Sequence, residues 1–294
     1  MDSVVFLVQC LNAIQYGLLL FLIASGLTLI FGILGVINLA HGSLYMVGAY
    51  LAYALTPFTA EHFGGNFGVT ILLGVALAWV FGYLLEWAFF SFMYRRNHLQ
   101  QVLMTYGLIL VLEELRSIVF GNDVHSVPVP ASMTGSVSIA GVIDYPVYRL
   151  AVMGICVALS LGMYVLIQKT RLGMRIRAGA DNRPMTRALG IDVPRLFRVV
   201  FALGVMLAML AGMLDAPMSS VYPGMGNSVL IVSFVVVVIG GIGSVLGAFF
   251  AALLVGFADT FGKVFFPDFA SVAVYLLMAA ILLWRPTGLF GERK

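Results

Sequence analysis

The chain has 294 residues, of which 62% are hydrophobic and only 10% charged, and its mean hydropathy is +1.05. Soluble domains carry roughly 25% charged residues, and no polar stretch here is long enough to enclose its own core, so a soluble fold is excluded. The net charge of +3 gives no reason to expect a nucleic-acid partner, because the basic residues cluster at the edges of apolar runs.

Those runs recur along the whole length and are long enough to cross a hydrocarbon core. The fold class expected is therefore all-α, a polytopic membrane protein in one transmembrane domain over residues 1–294. The start, MDSVVFLVQ, has no positive n-region and no small-residue cleavage site, so no cleaved signal peptide is expected. Its early charge, Asp2, suits an N-terminus on the outer side.

The first span runs from about Val5 to Ile30, and Gly32 and Gly35 loosen the chain after it. The second, about Val36–Leu55, carries Asn38 and His41, and Thr56–Phe67 with Pro57 reads as a short outer loop. The third, about Gly68–Met93, contains Glu86 and ends at Tyr94-Arg95-Arg96, a cytoplasmic marker. The fourth, about Val102–Phe120, bears Glu113, Glu114 and Arg116 near its far end. Residues Gly121–Tyr145, with the alternation SVSIAGVID, predict an outer loop with a small hairpin.

A fifth span, about Val147–Ile167, leads into the basic segment, and a sixth, about Val199–Met213, leaves it before the break Asp215-Ala216-Pro217. Val229–Ile239 and Val245–Phe261 flank a Gly-Gly-Ile-Gly-Ser turn, and Ala270–Trp284 precedes the tail with Arg285, Arg293 and Lys294. Parity then gives about eight or nine crossings, some broken or re-entrant, with the C-terminus inside. Gly42-Ser43 with Gly48-Ala49 echoes Gly243-Ser244 with Gly247-Ala248, either as two related transporter halves would or by chance, because small residues let helices pack closely in many spans.

The polar stretch Arg171–Arg198, within a loop over 169–198, holds or adjoins eight of the sixteen Lys and Arg residues. Such a loop fixes the cytoplasmic side. It also has helix punctuation. Asp181 or Asn182 can cap a start, Pro184 suits the first turn, Gly190 fits the left-handed stop, and Asp192 with Pro194 opens the next helix. A free loop needs no such order; a docking element does.

Nothing points to an enzyme. The four histidines lack metal-ligand spacing, and no phosphate-binding glycine-lysine motif is present, so any ATP would be used by other subunits. Cys10 and Cys156 fall inside apolar spans as small buried hydrophobes. Asn38 and His41, three apart on one helix face, either line a path or brace a broken helix, or merely hold packed helices together. Asp215 either meets a cationic group on a passing solute or caps the next turn. Glu113 or Glu114 pairs with Arg116, and Glu86 suits packing against another subunit.

Four segments, GVINLAHGSLYMVGAY at 35–50, MRIRAGADNRPMTRALGI at 174–191, GGIGSVLGA at 240–248 and RPTGLFG at 285–291, occur in that order. With them the chain resembles the permease subunits of branched-chain amino acid (Liv-type) ABC importers over nearly its full length. The resemblance implies a homologous second permease, two cytoplasmic ABC ATPases, a periplasmic or extracellular solute-binding protein and a place in the bacterial inner membrane. It makes Arg177–Gly190 the segment that rests in a groove of the ATPase, naming Arg177, Ala178, Asp181, Arg183, Arg187, Ala188 and Gly190. Asn38, His41 and Asp215 are the candidate path residues, and Gly240, Gly241, Gly243 and Gly247 the structural glycines. Urea or short amides as solutes, and a stand-alone secondary transporter, are the rival readings. The acid at Asp215 and the Pro- and Arg-rich middle of the coupling loop depart from the family pattern.

Overall fold

The computed structural model describes residues 3–94, 96–139 and 143–291. Asp2, Arg95, Arg293 and Lys294, used above to fix topology, lie outside them, as do residues 140–142 of the hairpin.

The helices follow the apolar runs. They are α1 (Ser3–Leu29) with a π-helical extension (Ile30–Leu34), α2 (His41–Phe63) and α3 (Phe67–Leu85). A second π-helical stretch (Glu86–Phe90) joins α3 to the single turn α4 (Ser91–Met93), and α5 (His98–Phe120) follows. Beyond a hairpin of β1 (Ser136–Ile139) and β2 (Ile143–Pro146) come α6 (Val147–Lys169), α7 (Arg171–Asp181) and α8 (Arg183–Ala188). The remainder is α9 (Val193–Asp215), α10 (Met225–Gly240), α11 (Val245–Phe265) and α12 (Ala270–Trp284). Side-chain oxygens start several of these: Asn66 accepts from the Gly68 amide at 2.9 Å, Asn97 from Gln100 at 2.9 Å and Ser244 from Gly247 at 3.0 Å.

Among the described residues, five helices are long and apolar enough to cross a membrane by length and composition, and Met225–Gly240 and Val272–Trp284 are shorter apolar helices. With α2 and α5, of 23 residues each, this is the all-α, polytopic membrane architecture expected.

Two of the helices form the centre. The most apolar window of α1 is 89% buried and that of α9 is 83% buried, against 22% for the third span and for α6. α1 packs on α6, α9, α10 and α11, while α2 packs on α3, α9 and α10. With no hydrophobic drive inside a bilayer, such contacts depend on close approach. The α2–α9 crossing shows it: a Cβ on Gly48 would strike the Met209 carbonyl, and one on Gly212 would strike the Tyr45 carbonyl.

The second span corrects the sequence reading. Gly35, at φ 65°, turns the chain back at the end of the π-helical extension. Val36–Ala40 are non-helical, with Val36, Asn38 and Ala40 buried. α2 starts only at His41, whose Nε2 lies 2.9 Å from the Ile23 carbonyl. Ile23 is about 16 Å back along α1 from Leu34 at 1.5 Å per residue, so α2 is a broken helix starting inside the bundle. It also runs on through Pro57 to Phe63, where an outer loop was expected. Thr56 and Thr59 hydroxyls donate to the Ala52 and Leu55 carbonyls beside the proline, at 2.7 and 2.9 Å, the kind of local repair that lets membrane helices pass a proline.

Candidate functional site

At one end of the bundle the basic segment is folded and tethered. Asn182, rather than Asp181, caps α8, accepting from the Met185 amide at 3.0 Å with Pro184 in the first turn. Gly190 stops it at φ 81°, and Asp192 opens α9 by accepting from Arg195 at 3.1 Å. The arginine-rich lead-in is itself a helix, α7, which the sequence reading missed. Its buried Gly173, Ile176 and Gly179 recur every three residues, a signal hidden by attention to the charges between them.

The named residues divide into anchors and an outward tip. Arg177 donates to the Ile167 carbonyl, and the Ala178 carbonyl accepts from the Thr186 hydroxyl at 2.9 Å. Arg183 reaches across to the end of the first span, donating from Nη2 to the carbonyls of Leu34 (2.8 Å) and Ile33 (3.2 Å), while its guanidinium lies 5.0 Å from the Phe197 ring centre. Asp181, Arg187, Ala188 and Gly190 are exposed. So are Met185 (57%) and Leu189 (70%), which share a face with Ala188 at helical spacing.

Hydrogen bonds to a charged donor contribute about 1.5–3 kcal/mol. Arg183→Ala is therefore expected to speed amide exchange across residues 171–191 by at least about tenfold while α9 and α10 stay protected. Equal exchange in variant and parent would show that the arginine tethers nothing.

A cavity of about 510 Å³ lies beside α8, lined by Glu86, Tyr94, Arg183, Arg187 and Arg198 among others. Glu86 corrects a second expectation, since it is 1% exposed inside its own chain rather than facing another subunit. It sits at the start of the π-helical stretch, accepts from the Tyr94 hydroxyl at 2.9 Å, and has Arg198 Nε at 3.4 Å, an ion pair longer than a hydrogen bond. The pairing of Glu113 with Arg116 is present at 3.4 Å, whereas Glu114 is exposed.

The four sequence segments singled out above meet at this same end. Arg183 holds the Leu34–Gly35 turn, and a Cβ on Gly32 would lie 2.7 Å from the Gly243 Cα. Gly240 and Gly247 are in mutual backbone contact, and Gly241 (φ 94°) sits against Gly291. The amides of Leu289 and Phe290 donate to the carbonyls of Ile239 (2.8 Å) and Gly240 (3.1 Å). The family described as branched-chain amino acid transport system, permease component, matches residues 9–283.

The chain belongs to that family. It is similar to the high-affinity branched-chain amino acid transport system permease protein BraD of Pseudomonas aeruginosa, with 30% identity over 98% of this chain and 96% of that protein. The permease protein LivH of the same description from Escherichia coli is 27% identical, again over 98% and 96%. A solved structure, PsaBC from Streptococcus pneumoniae in complex with Fab, aligns with a TM-score of 0.47 and 11% identity over 93% of this chain and 89% of that one. This is a transport permease, not an enzyme.

Within the permease the three candidate path residues fall into two places. Asn38 and His41 are both 0% exposed at the break before α2. Asn38 Oδ1 accepts from the Ala40 amide at 3.1 Å, and His41 contacts the Ile23 carbonyl, so both brace the broken helix. Asn38 Nδ2 and His41 Nδ1 are left without partners. Asp215 is elsewhere, at the opposite end, where its Oδ2 accepts from the hydroxyls of Ser219 (2.5 Å) and Tyr45 (2.6 Å).

Asp215 lines a second cavity, of about 520 Å³. Most of its polar neighbours were passed over in the sequence: Gln9, Asn12 and Gln15 form a stripe on α1, and Arg149 opens α6. The stripe is legible as polar residues three apart. Arg149 and the Tyr145 hydroxyl both donate to Asn12 Oδ1, at 2.7 and 3.1 Å. On the hairpin, burial raises the Tyr145 phenol above its ordinary value and the nearby Arg149 draws it back down, so Tyr145 remains a neutral donor at neutral pH.

Proposed function

We propose that this permease is the membrane-spanning subunit of an ATP-driven importer for branched-chain amino acids or similar small polar solutes. Separate cytoplasmic ATPases supply the energy, and a homologous second permease completes the path. The whole chain, 1–294, acts as one transmembrane domain in the bacterial inner membrane, N-terminus out and C-terminus in. The basic end faces the cytoplasm, as Lys- and Arg-rich loops do.

One observation carries this reading. A capped helix with an apolar tip, Met185, Ala188 and Leu189, stands in solvent at the basic end while Arg183 ties its base to the first span. Apolar anchors ringed by charge are what a docking helix offers to a groove. Closure of the ATPases on ATP would then move α8 and, through Arg183, the turn that leads into the broken helix. Asn38 and His41 sit at the hinge of that motion, and Asp215 at the outer mouth. A loaded solute-binding protein docks there and hands over its cargo.

Purification of the tagged permease from its native membrane is expected to bring down two P-loop ATPases and a second, related permease. Uptake by the reconstituted set should need ATP and no ion gradient. A chain that purifies alone and transports on an ion gradient would make the rival secondary transporter correct.

A further inference from the structure

The far-end cavity carries two opposite charges that the protein itself leaves open. Four ion pairs occur among the described residues, and they include neither Asp215 nor Arg149. Both line the same space of about 520 Å³. Asp215 spends only Oδ2 on protein hydroxyls. Arg149 makes one side-chain bond, from Nη1 to Asn12, although a guanidinium has five donors. Asp259 and Lys263, on the same wall, satisfy each other at 2.5 Å, so the open pair is Asp215 with Arg149.

Unpaired charges are costly at a membrane protein's interior edge and mark places where something charged arrives. The remaining lining mixes polar Gln9, Gln15 and Thr260 with apolar Leu19, Met218 and Val264, and Met218 Sδ accepts from Gln15 Nε2 at 3.0 Å. We infer that this cavity is a zwitterion-binding station of the permease itself: Asp215 receives an α-ammonium, Arg149 an α-carboxylate, and Leu19, Met218 and Val264 an aliphatic side chain. Arg is suited to the bidentate carboxylate contact. The station rests on the import reading above, and it separates the solute classes left open there. A free α-amino acid matches both charges, whereas urea and short amides match neither. Selection then continues inside the permease after the solute has left its binding protein.

The test uses the permease pair and its ATPases in proteoliposomes, without the solute-binding protein that would cover this mouth when loaded. Met218→Cys is the reporter in a Cys10→Ala background, and a membrane-impermeant maleimide is added from outside. L-Leucine is expected to slow labelling. 4-Methylpentanoate, which lacks the ammonium, 3-methylbutylamine, which lacks the carboxylate, and urea should not do so at the same concentration. Asp215→Asn and Arg149→Gln should each raise the leucine needed for protection by at least about tenfold, the scale of one lost charge-assisted contact. Arg149→Lys should recover part of it, and an unchanged labelling rate without ligand shows that each variant keeps its cavity.

Leucine uptake by the unaltered transporter with no leucine protection of Cys at 218 overturns the station and leaves the import reading standing. Equal protection by urea and leucine overturns the zwitterion assignment. Protection by leucine in a transporter that moves no amino acid keeps the station and overturns the import reading.

Discussion

Ala188→Asp is expected to cut transport by about 30-fold while leaving the permease folded and in the membrane. Ala188 is the last residue of α8, exposed beside Met185 and Leu189. A carboxylate there costs the isolated permease little: its clash with the helix C-terminal dipole amounts to about 0.3–1 kcal/mol at an exposed site. In the proposed dock, an apolar groove of an ATPase, the same carboxylate would be buried without a partner. Loss of an interface anchor costs about 2 kcal/mol or more, roughly a 30-fold fall in docking affinity. Transport should drop by the same order, with ATP hydrolysis no longer stimulated by loaded binding protein. Normal uptake by this variant would mean that α8 docks nowhere and the arginines are topology signals alone.

Gly48→Val should have the largest structural effect of any single change considered. The α2 and α9 backbones touch at Gly48 against Met209 and at Gly212 against Tyr45. Added methylenes in a tight core cost about 1–3 kcal/mol when side chains can shift. Here the obstacle is a backbone carbonyl on a central helix, so the two helices must part. Folded, monodisperse permease in detergent should fall by at least about tenfold relative to parent. Gly154→Val is the matched control, because a Cβ at that α6 position meets nothing within 4 Å, and it should leave the yield of the isolated chain unchanged. Equal yields for the two variants would mean that the crossing is looser than its geometry indicates.

The parts of this fold that are legible in sequence are the local ones. Asn182, Pro184 and Gly190 state the limits of α8, and Asp192 the start of α9, by chemistry that acts within four residues. The break before α2 is only half legible. Gly35 announces a turn, but an apolar stretch such as Val36–Ala40 reads the same whether helical or extended, since hydropathy reports burial and not backbone conformation. Pro57 reads as a helix end because proline ends helices in water; here the bundle and two threonines override it. Glu86 faces inward because it continues the buried stripe of Thr70, Gly74, Ala78 and Gly82 at four-residue spacing. The far-end cavity was the least legible, since Asn12, Arg149 and Asp215 lie on three helices and meet only through tertiary packing.

The broken helix also sets an order of events at the ribosome. α2 begins at His41 inside the bundle, and α9 and α10 form much of its wall. Those two helices are synthesised about 160 residues later, a wait of roughly 8–30 s at ordinary elongation rates. During that interval the buried, non-helical Val36–Ala40 has α1 beside it but not α9 or α10, and bare peptide groups are not tolerated in lipid. The N-terminal third must therefore be held at the translocon or by an insertion chaperone, or wait at the membrane surface, until α9 emerges. Biogenesis of this permease is completed from its C-terminal half backwards.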